Sequence, residues 1–121
     1  MGDSDSSSTR ILRERLRLGA GFGGEDRDHV LELLSALDRH LAHWSADRVD
    51  LEISVKNRGG HEQKVMLEAW LPRWPSLVAH STDRELDHAL TDVRKEMIRQ
   101  IEDEKTKRDL HKARTSRRGP A

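Results

Sequence analysis

The stretch VDLEISVKNRGG, residues 49–60, decides how this chain is to be read. Val49, Leu51, Ile53 and Val55 alternate with Asp50, Glu52, Ser54 and Lys56, the period of a strand with one buried face. Asn57-Arg58-Gly59-Gly60 then supplies turn residues, so the run ends in a hairpin. The return strand extends from about Gln63 to Leu71. It turns Val65, Leu67, Ala69 and Leu71 inward and Lys64, Met66, Glu68 and Trp70 outward. A hairpin with one apolar face requires a second layer to cover it.

Downstream, Pro72 and Pro75 bracket Arg73-Trp74 and interrupt ladder hydrogen bonding, because proline has no amide proton. A short strand over about Ser76 to His80 resumes it. Thr82 stands three residues before Glu85, a capping-box spacing, and Leu86, Ala89, Leu90, Val93, Met97 and Ile101 form the apolar stripe of the helix that follows. Upstream, Val30, Leu33, Leu34, Leu37, Leu41 and Trp44 recur at helical steps, which predicts one helix over 25–44. Gly19, Gly21, Gly23 and Gly24 form a linker before it. From Arg10 to Leu18 the pattern alternates, predicting a first strand with Arg13, Arg15 and Arg17 on one face. The expected fold is α+β, a two-layer sandwich in the order β-α-β-β-β-α, with a four-stranded sheet and two helices on one of its faces. Its other sheet face is left open. Residues 1–9 form a polar leader read as disordered, 10–104 the domain, and 105–121 a basic helix extension or tail.

The chain has 121 residues and a mass of 13.9 kDa, enough for one domain. No apolar run spans a bilayer and no secretory signal opens the sequence. Absence of cysteine removes disulfides, thiol catalysis and cysteine-based zinc sites. A cytoplasmic setting is expected. The formal net charge of zero conceals a split, because residues 105–121 hold seven cations against one anion, a net +6, and residues 1–104 therefore carry −6.

Nothing in the sequence assembles an enzyme. It has no nucleophile elbow, no phosphate-binding glycine motif and no acid, base and nucleophile constellation. No cofactor is expected. His29, His40 and His43 share one side of the first helix, but only His40 and His43 are close enough to share an ion, and two imidazoles make half a site. No metal is expected either. His80 and His88 read likewise as surface histidines.

Cations are the stronger signal. Arg84, His88, Lys95 and Arg99 fall within about 60° of one another on the second helix, opposite its apolar stripe, and form a ridge that Asp92 and Glu102 dilute. Lys56, Arg58 and Lys64 gather at the hairpin near the open sheet face. The segment from Lys105 through Lys107, Arg108 and Lys112 to Arg118 prolongs the ridge. With Trp70 and Trp74 as flat stacking groups, this distribution suits a polyphosphate backbone.

The strand and helix order, together with Ala89-Leu90-Thr91 followed by Met97-Ile98-Arg99-Gln100-Ile101, resembles the bacterial ribosome hibernation-promoting factors, also called ribosome-associated inhibitor A or sigma-54 modulation proteins. Leu34-Ser35-Ala36-Leu37-Asp38-Arg39-His40-Leu41 of the first helix looks similar too. The resemblance covers residues 10 to about 108. It departs from the family pattern at Glu85, Asp87, Thr91 and Glu96, and at Glu102, Asp103 and Glu104, where lysines are partly replaced. What it implies is a non-enzymatic stress factor that binds small-subunit ribosomal RNA and occludes the messenger and transfer RNA path. Arg94, Lys95 and Arg99 match basic-rich family positions, and Lys105 and Lys107 continue its basic end.

The expected RNA-binding set is thus Arg13, Arg15, Arg17, Lys56, Arg58, Lys64, Arg84, Arg94, Lys95, Arg99, Lys105, Lys107, Arg108 and Lys112, with the small ribosomal subunit as partner and neither a membrane nor a small-molecule substrate. The alternative reading is a protein-interaction module, a homodimer formed through the open sheet face or an edge strand, which the acidic body favours.

Overall fold

The structure, a computed structural model, describes residues 10–117 and the side chains of residues 11–110. The leader 1–9 and the side chains of Lys112, Arg114, Arg117 and Arg118 lie outside the described residues. The chain runs α1 (Arg10–Arg15), β1 (Leu16–Leu18), a 3-10 turn (Gly24–Asp26), α2 (Arg27–Leu34), α3 (Leu37–Leu41), a second 3-10 turn (Ala46–Arg48), β2 (Asp50–Lys56), β3 (Lys64–Trp70), β4 (Leu77–Thr82) and α4 (Leu86–Arg117). The sheet order is β1-β2-β3-β4. β1 runs parallel to β2, and the other neighbours are antiparallel. It is the expected α+β sandwich, with α2, α3 and α4 against one sheet face.

Leu51, Ile53 and Val55 of β2 and Val65, Leu67 and Ala69 of β3 are buried beneath Leu34, Leu37 and Leu41 and the α4 stripe of Ala89, Leu90, Val93, Met97 and Ile101. That core follows the apolar periodicities of the sequence. Burial of fully enclosed Leu and Ile side chains contributes roughly 1.5–3 kcal/mol each.

The opening segment departs from expectation. Arg10 to Arg15 is helix, and only Leu16 to Leu18 is strand, so Arg13, Arg15 and Arg17 do not share one strand face. The reason is visible in the core, where Ile11 and Leu12 are both buried, as adjacent residues on a one-sided strand cannot be. Asp38 fixes the helical alternative: its Oδ1 accepts the Leu12 amide at 3.2 Å, satisfying an amide of the first turn that has no partner within the helix.

The first long helix is also broken. It ends at Leu34 and resumes at Leu37, and the Asp38 amide donates to the Ser35 carbonyl at 3.1 Å across the break. The glycine segment does more than link. Gly19 donates its amide to the Ile53 carbonyl at 2.7 Å, and the Ala20 carbonyl accepts the Val55 amide at 2.8 Å, so this segment prolongs β1 beside β2. Gly21 has φ +89°, and a Cβ there would lie 2.3 Å from the Val55 carbonyl oxygen, so only glycine fits. Thr82 ends β4 and does not cap α4. Asp83 leads into the helix instead through an Asx turn, its Oδ1 accepting the Glu85 amide at 2.8 Å, and Glu85 stands at the N-cap position.

Candidate nucleic-acid interface

The uncovered face of the sheet is built in rows fixed by register. Arg17, Glu52, Glu68 and Val78 form one row, Ser54, Met66 and His80 the next, and Lys56, Lys64 and Thr82 the last. Lys56 and Lys64 are therefore direct cross-strand partners. Like charges so placed repel, and neither lysine has an ion-pair or hydrogen-bond partner among the described residues. They border a shallow hollow of about 210 Å³ lined also by Ala20, Ser54, Val55 and Met66. Two exposed ammonium groups over a half-apolar floor suit a phosphate with a sugar or base beside it.

The loop that carries Arg84 is held beside them by Gln63, which strand parity along β3 turns inward. Gln63 is 1% exposed. Its Oε1 accepts the Gly59 amide at 2.9 Å, and its Nε2 donates to the Asp83 and Arg84 carbonyls, each at 3.0 Å. One amide side chain thus fastens the hairpin turn to the loop that carries Arg84.

Several other expected cations are already engaged. Arg58 is turned away from the open face: it donates to Asp26 Oδ2 and Oδ1 at 2.8 and 2.9 Å and to the Gly21 carbonyl at 2.8 Å, and it stacks over Phe22. This pair holds the Asp26 carboxyl well below the usual carboxylate range. Arg15 donates to the Val49 carbonyl and to Asp50, each at 2.8 Å, and Arg94 donates to the Leu33 carbonyl at 3.1 Å. These arginines brace the fold. Arg17 lies over the Trp70 ring, with Glu52 at 3.9 Å, so Trp70 does stand on the open face, partly covered.

The remaining cations belong to α4. Arg99 is paired with Glu96 and Asp103, whereas Asp92 and Glu102, the acids that dilute the ridge in sequence, engage Ser81 and His40 instead. Lys95 is exposed on the solvent side of α4, in the layer opposite the open sheet, and has no ion pair among the described residues. Lys105 reaches Glu102 at 3.5 Å and lies over Trp44, while Arg108 reaches Glu104 at 3.3 Å and lies over Trp74. Trp44 and Trp74 meet edge to face with centroids 5.0 Å apart, so Trp74 pins its loop to the core side and is no free stacking platform. Lys107 and Arg13 are exposed.

The structure thus sets the Arg84 loop beside Lys56 and Lys64 at one end of the sheet, sets Lys95 apart, and places Lys105, Lys107 and Arg108 on α4 beyond its last core residue Ile101. Ser54, Met66 and His80 carry no charge or motif that marks them in the sequence, yet they share the open face with the lysines. His29 and His40 hydrogen-bond to Asp87 and Glu102 at 2.8 and 2.7 Å and tie α2 and α3 to α4. Among the described residues no helix is long and apolar enough to cross a membrane.

No family model matches the sequence, and no curated protein matches it. Solved structures do. The N-terminal domain of Protein Y from Thermus thermophilus superimposes with a TM-score of 0.56 at 16% identity, covering 72% of this chain and 94% of that one. A ribosomal subunit interface protein from Coxiella burnetii superimposes with a TM-score of 0.57 at 12% identity, covering 76% of this chain and 98% of that one. The fold of this chain is thus similar to that of the Protein Y N-terminal domain and of a ribosomal subunit interface protein, in line with the resemblance drawn from the order of elements and the stretches of the two helices.

Proposed function

We propose that this chain is a ribosome-associated factor of the hibernation-promoting type, which docks on small-subunit ribosomal RNA and silences translation by filling the messenger and transfer RNA path. One observation carries the reading. Lys56 and Lys64 face each other on an open sheet without a counter-charge among the described residues, an arrangement that a phosphate relieves. The fold shared with a ribosomal subunit interface protein supports the choice of the ribosome as the source of that phosphate. Arg84 and the α4 cations Lys105, Lys107, Arg108 and Lys112 extend the contact. No bond is made or broken, so the action is steric and electrostatic.

Co-sedimentation of the full chain with small subunits at two salt concentrations tests this. Binding is expected at low salt and weakens steeply as salt rises. The double substitution Lys56→Ala/Lys64→Ala lowers affinity and reduces the salt slope by about 2, one unit for each phosphate no longer neutralised. No binding at low salt, or unchanged affinity of the double variant, overturns the proposal.

A further inference from the structure

The open face carries a second pattern, distinct from the lysine pair alone. Glu52 and Glu68 are register partners in the β2 and β3 ladder, Ser54 and Met66 are the next outward pair, and Lys56 and Lys64 the one after. Each strand therefore reads acid, neutral, base in the same direction across the sheet: Glu52, Ser54, Lys56 on β2 and Glu68, Met66, Lys64 on β3. The ladder contains two like-charge cross-strand pairs of opposite sign. Each is unfavourable within one sheet. Arg17 gives Glu52 a partial counter-charge at 3.9 Å, whereas Glu68, Lys56 and Lys64 make no ion pair among the described residues. Between and beside them Met66 and Val78 are 40% and 37% exposed, large apolar side chains left on an uncovered surface.

We infer that this face self-associates, and that its occupant is a second copy of the chain, packed sheet to sheet. A two-fold axis running across the strands through the Ser54 and Met66 row turns β2 onto the partner's β2 and β3 onto the partner's β3, with direction reversed. Lys56 then lies over the partner's Glu52 and Lys64 over the partner's Glu68, and the symmetry repeats both pairs. Met66 packs on the partner's Met66, and Val78 faces the partner's Thr82. His80 meets its own copy on the axis. Arg17 falls over the partner's Gly19 to Gly21 segment, which carries no charged side chain. Stacked sheets stand about 10 Å apart, a gap that a lysine and a glutamate side chain reaching from opposite sides can close. Every charged group of the two ladder pairs gains an opposite one, with no change of backbone.

The size of the face sets the strength. Two central strands of seven residues are about 20 Å long, and four strands span about 14 Å, so each copy buries on the order of 300 Å². Standard interfaces bury about 800 Å² per partner. The dimer is therefore weak, favoured by high protein concentration and low salt. It covers Lys56 and Lys64, so association and RNA binding exclude each other. Self-association of this face does not depend on the ribosomal reading.

Sedimentation equilibrium of the full chain tests it. At low salt the apparent mass climbs with concentration from 13.9 kDa toward twice that value, and returns to the monomer as salt rises. A charge swap identifies the surface. Lys56→Glu/Lys64→Glu makes the face acidic and Glu52→Lys/Glu68→Lys makes it basic. Each variant, with folding checked by circular dichroism, is expected to remain monomeric alone, and their equimolar mixture to associate. A wild-type chain that stays monomeric up to its solubility limit, or a mixture that stays monomeric where the wild type associates, overturns the inference. The basic-face variant separates this from the ribosomal proposal. It keeps Lys56 and Lys64 and does not dimerise, so it binds small subunits at least as tightly as wild type if the ribosomal reading holds. Its failure to bind would sink that reading while leaving the mixing result to judge the dimer.

Discussion

Arg58 grips Asp26 through both terminal guanidinium nitrogens, at 2.8 and 2.9 Å, and so ties the tip of the β2 and β3 hairpin to the turn that precedes α2. Arg58 is the largest cause of the depressed Asp26 pKa, followed by the Gly23 amide that Asp26 accepts at 2.8 Å. A carboxyl whose folded pKa is lowered stabilises the fold above its unfolded pKa of about 3.9, and that contribution fades as pH falls below it. Arg58→Gln is therefore expected to lower the melting temperature at neutral pH. The gap from wild type narrows when both are melted near pH 3. A constant gap across that range would mean that the clamp is not electrostatic.

Asp38 behaves in the opposite sense. It is 3% exposed, its Oδ2 has no hydrogen-bond partner among the described residues, and burial pushes its pKa up to about 6, against the lowering effect of the Leu12 and Ile11 amides. The folded state thus binds this proton more tightly than the unfolded chain. The associated stability is complete below the unfolded pKa near 3.8 and is lost as pH rises through about 6. Asp38→Asn keeps an acceptor for the Leu12 amide without the charge. It is expected to be about 2 kcal/mol more stable than wild type at pH 7.5 and indistinguishable from it near pH 4, as read by urea unfolding.

Gln63→Leu is close in size to the native side chain but supplies no hydrogen bonds. It abandons the Gly59 amide and the Asp83 and Arg84 carbonyls, and a destabilisation of about 2 kcal/mol is expected from urea unfolding. Hydrogen exchange at Gly59 should accelerate beyond what the global change explains, because the turn and the Arg84 loop no longer share an anchor.

His29 hydrogen-bonds to Asp87 at 2.8 Å, and that carboxylate raises the imidazole pKa above its ordinary value of 6.5. Stability from this pair is complete below the unfolded pKa and is lost as pH rises through the folded one. Both side chains are about half exposed, so solvent screening limits the contribution to well under 1 kcal/mol. Proton NMR titration should find His29 above the ordinary value, and Asp87→Asn should return it there.

The hairpin, β4 and the α4 stripe are legible in the sequence because each buries one face, and one-sided burial writes itself as a period of two or of 3.6 residues. The α1 segment is not. Leu12, Leu16 and Leu18 alternate as a strand would, and the information that makes Arg10 to Arg15 helical lies at Asp38, 26 residues away along the chain. The same limit governs the site. Charge marks Arg15, Arg58 and Arg94 as cations, but whether an arginine faces solvent or a carbonyl is settled by long-range contacts, and those three are spent on Val49, Gly21 and Leu33. Lys56 and Lys64 stay without a partner among the described residues because strand parity alone places them outward.

Finally, α4 continues unbroken to Arg117, nine residues beyond Arg108, the last residue of α4 seen to meet the body among the described side chains, an overhang of about 14 Å at the rise of an α-helix. The helix is therefore a beam that carries the basic end of the sequence away from the acidic body. A molecule of zero net charge feels no pull in a uniform field, but one built this way feels a torque. Near a polyanion such a chain is expected to turn before it lands, beam first and body trailing, so that the length of one helix sets its orientation on arrival.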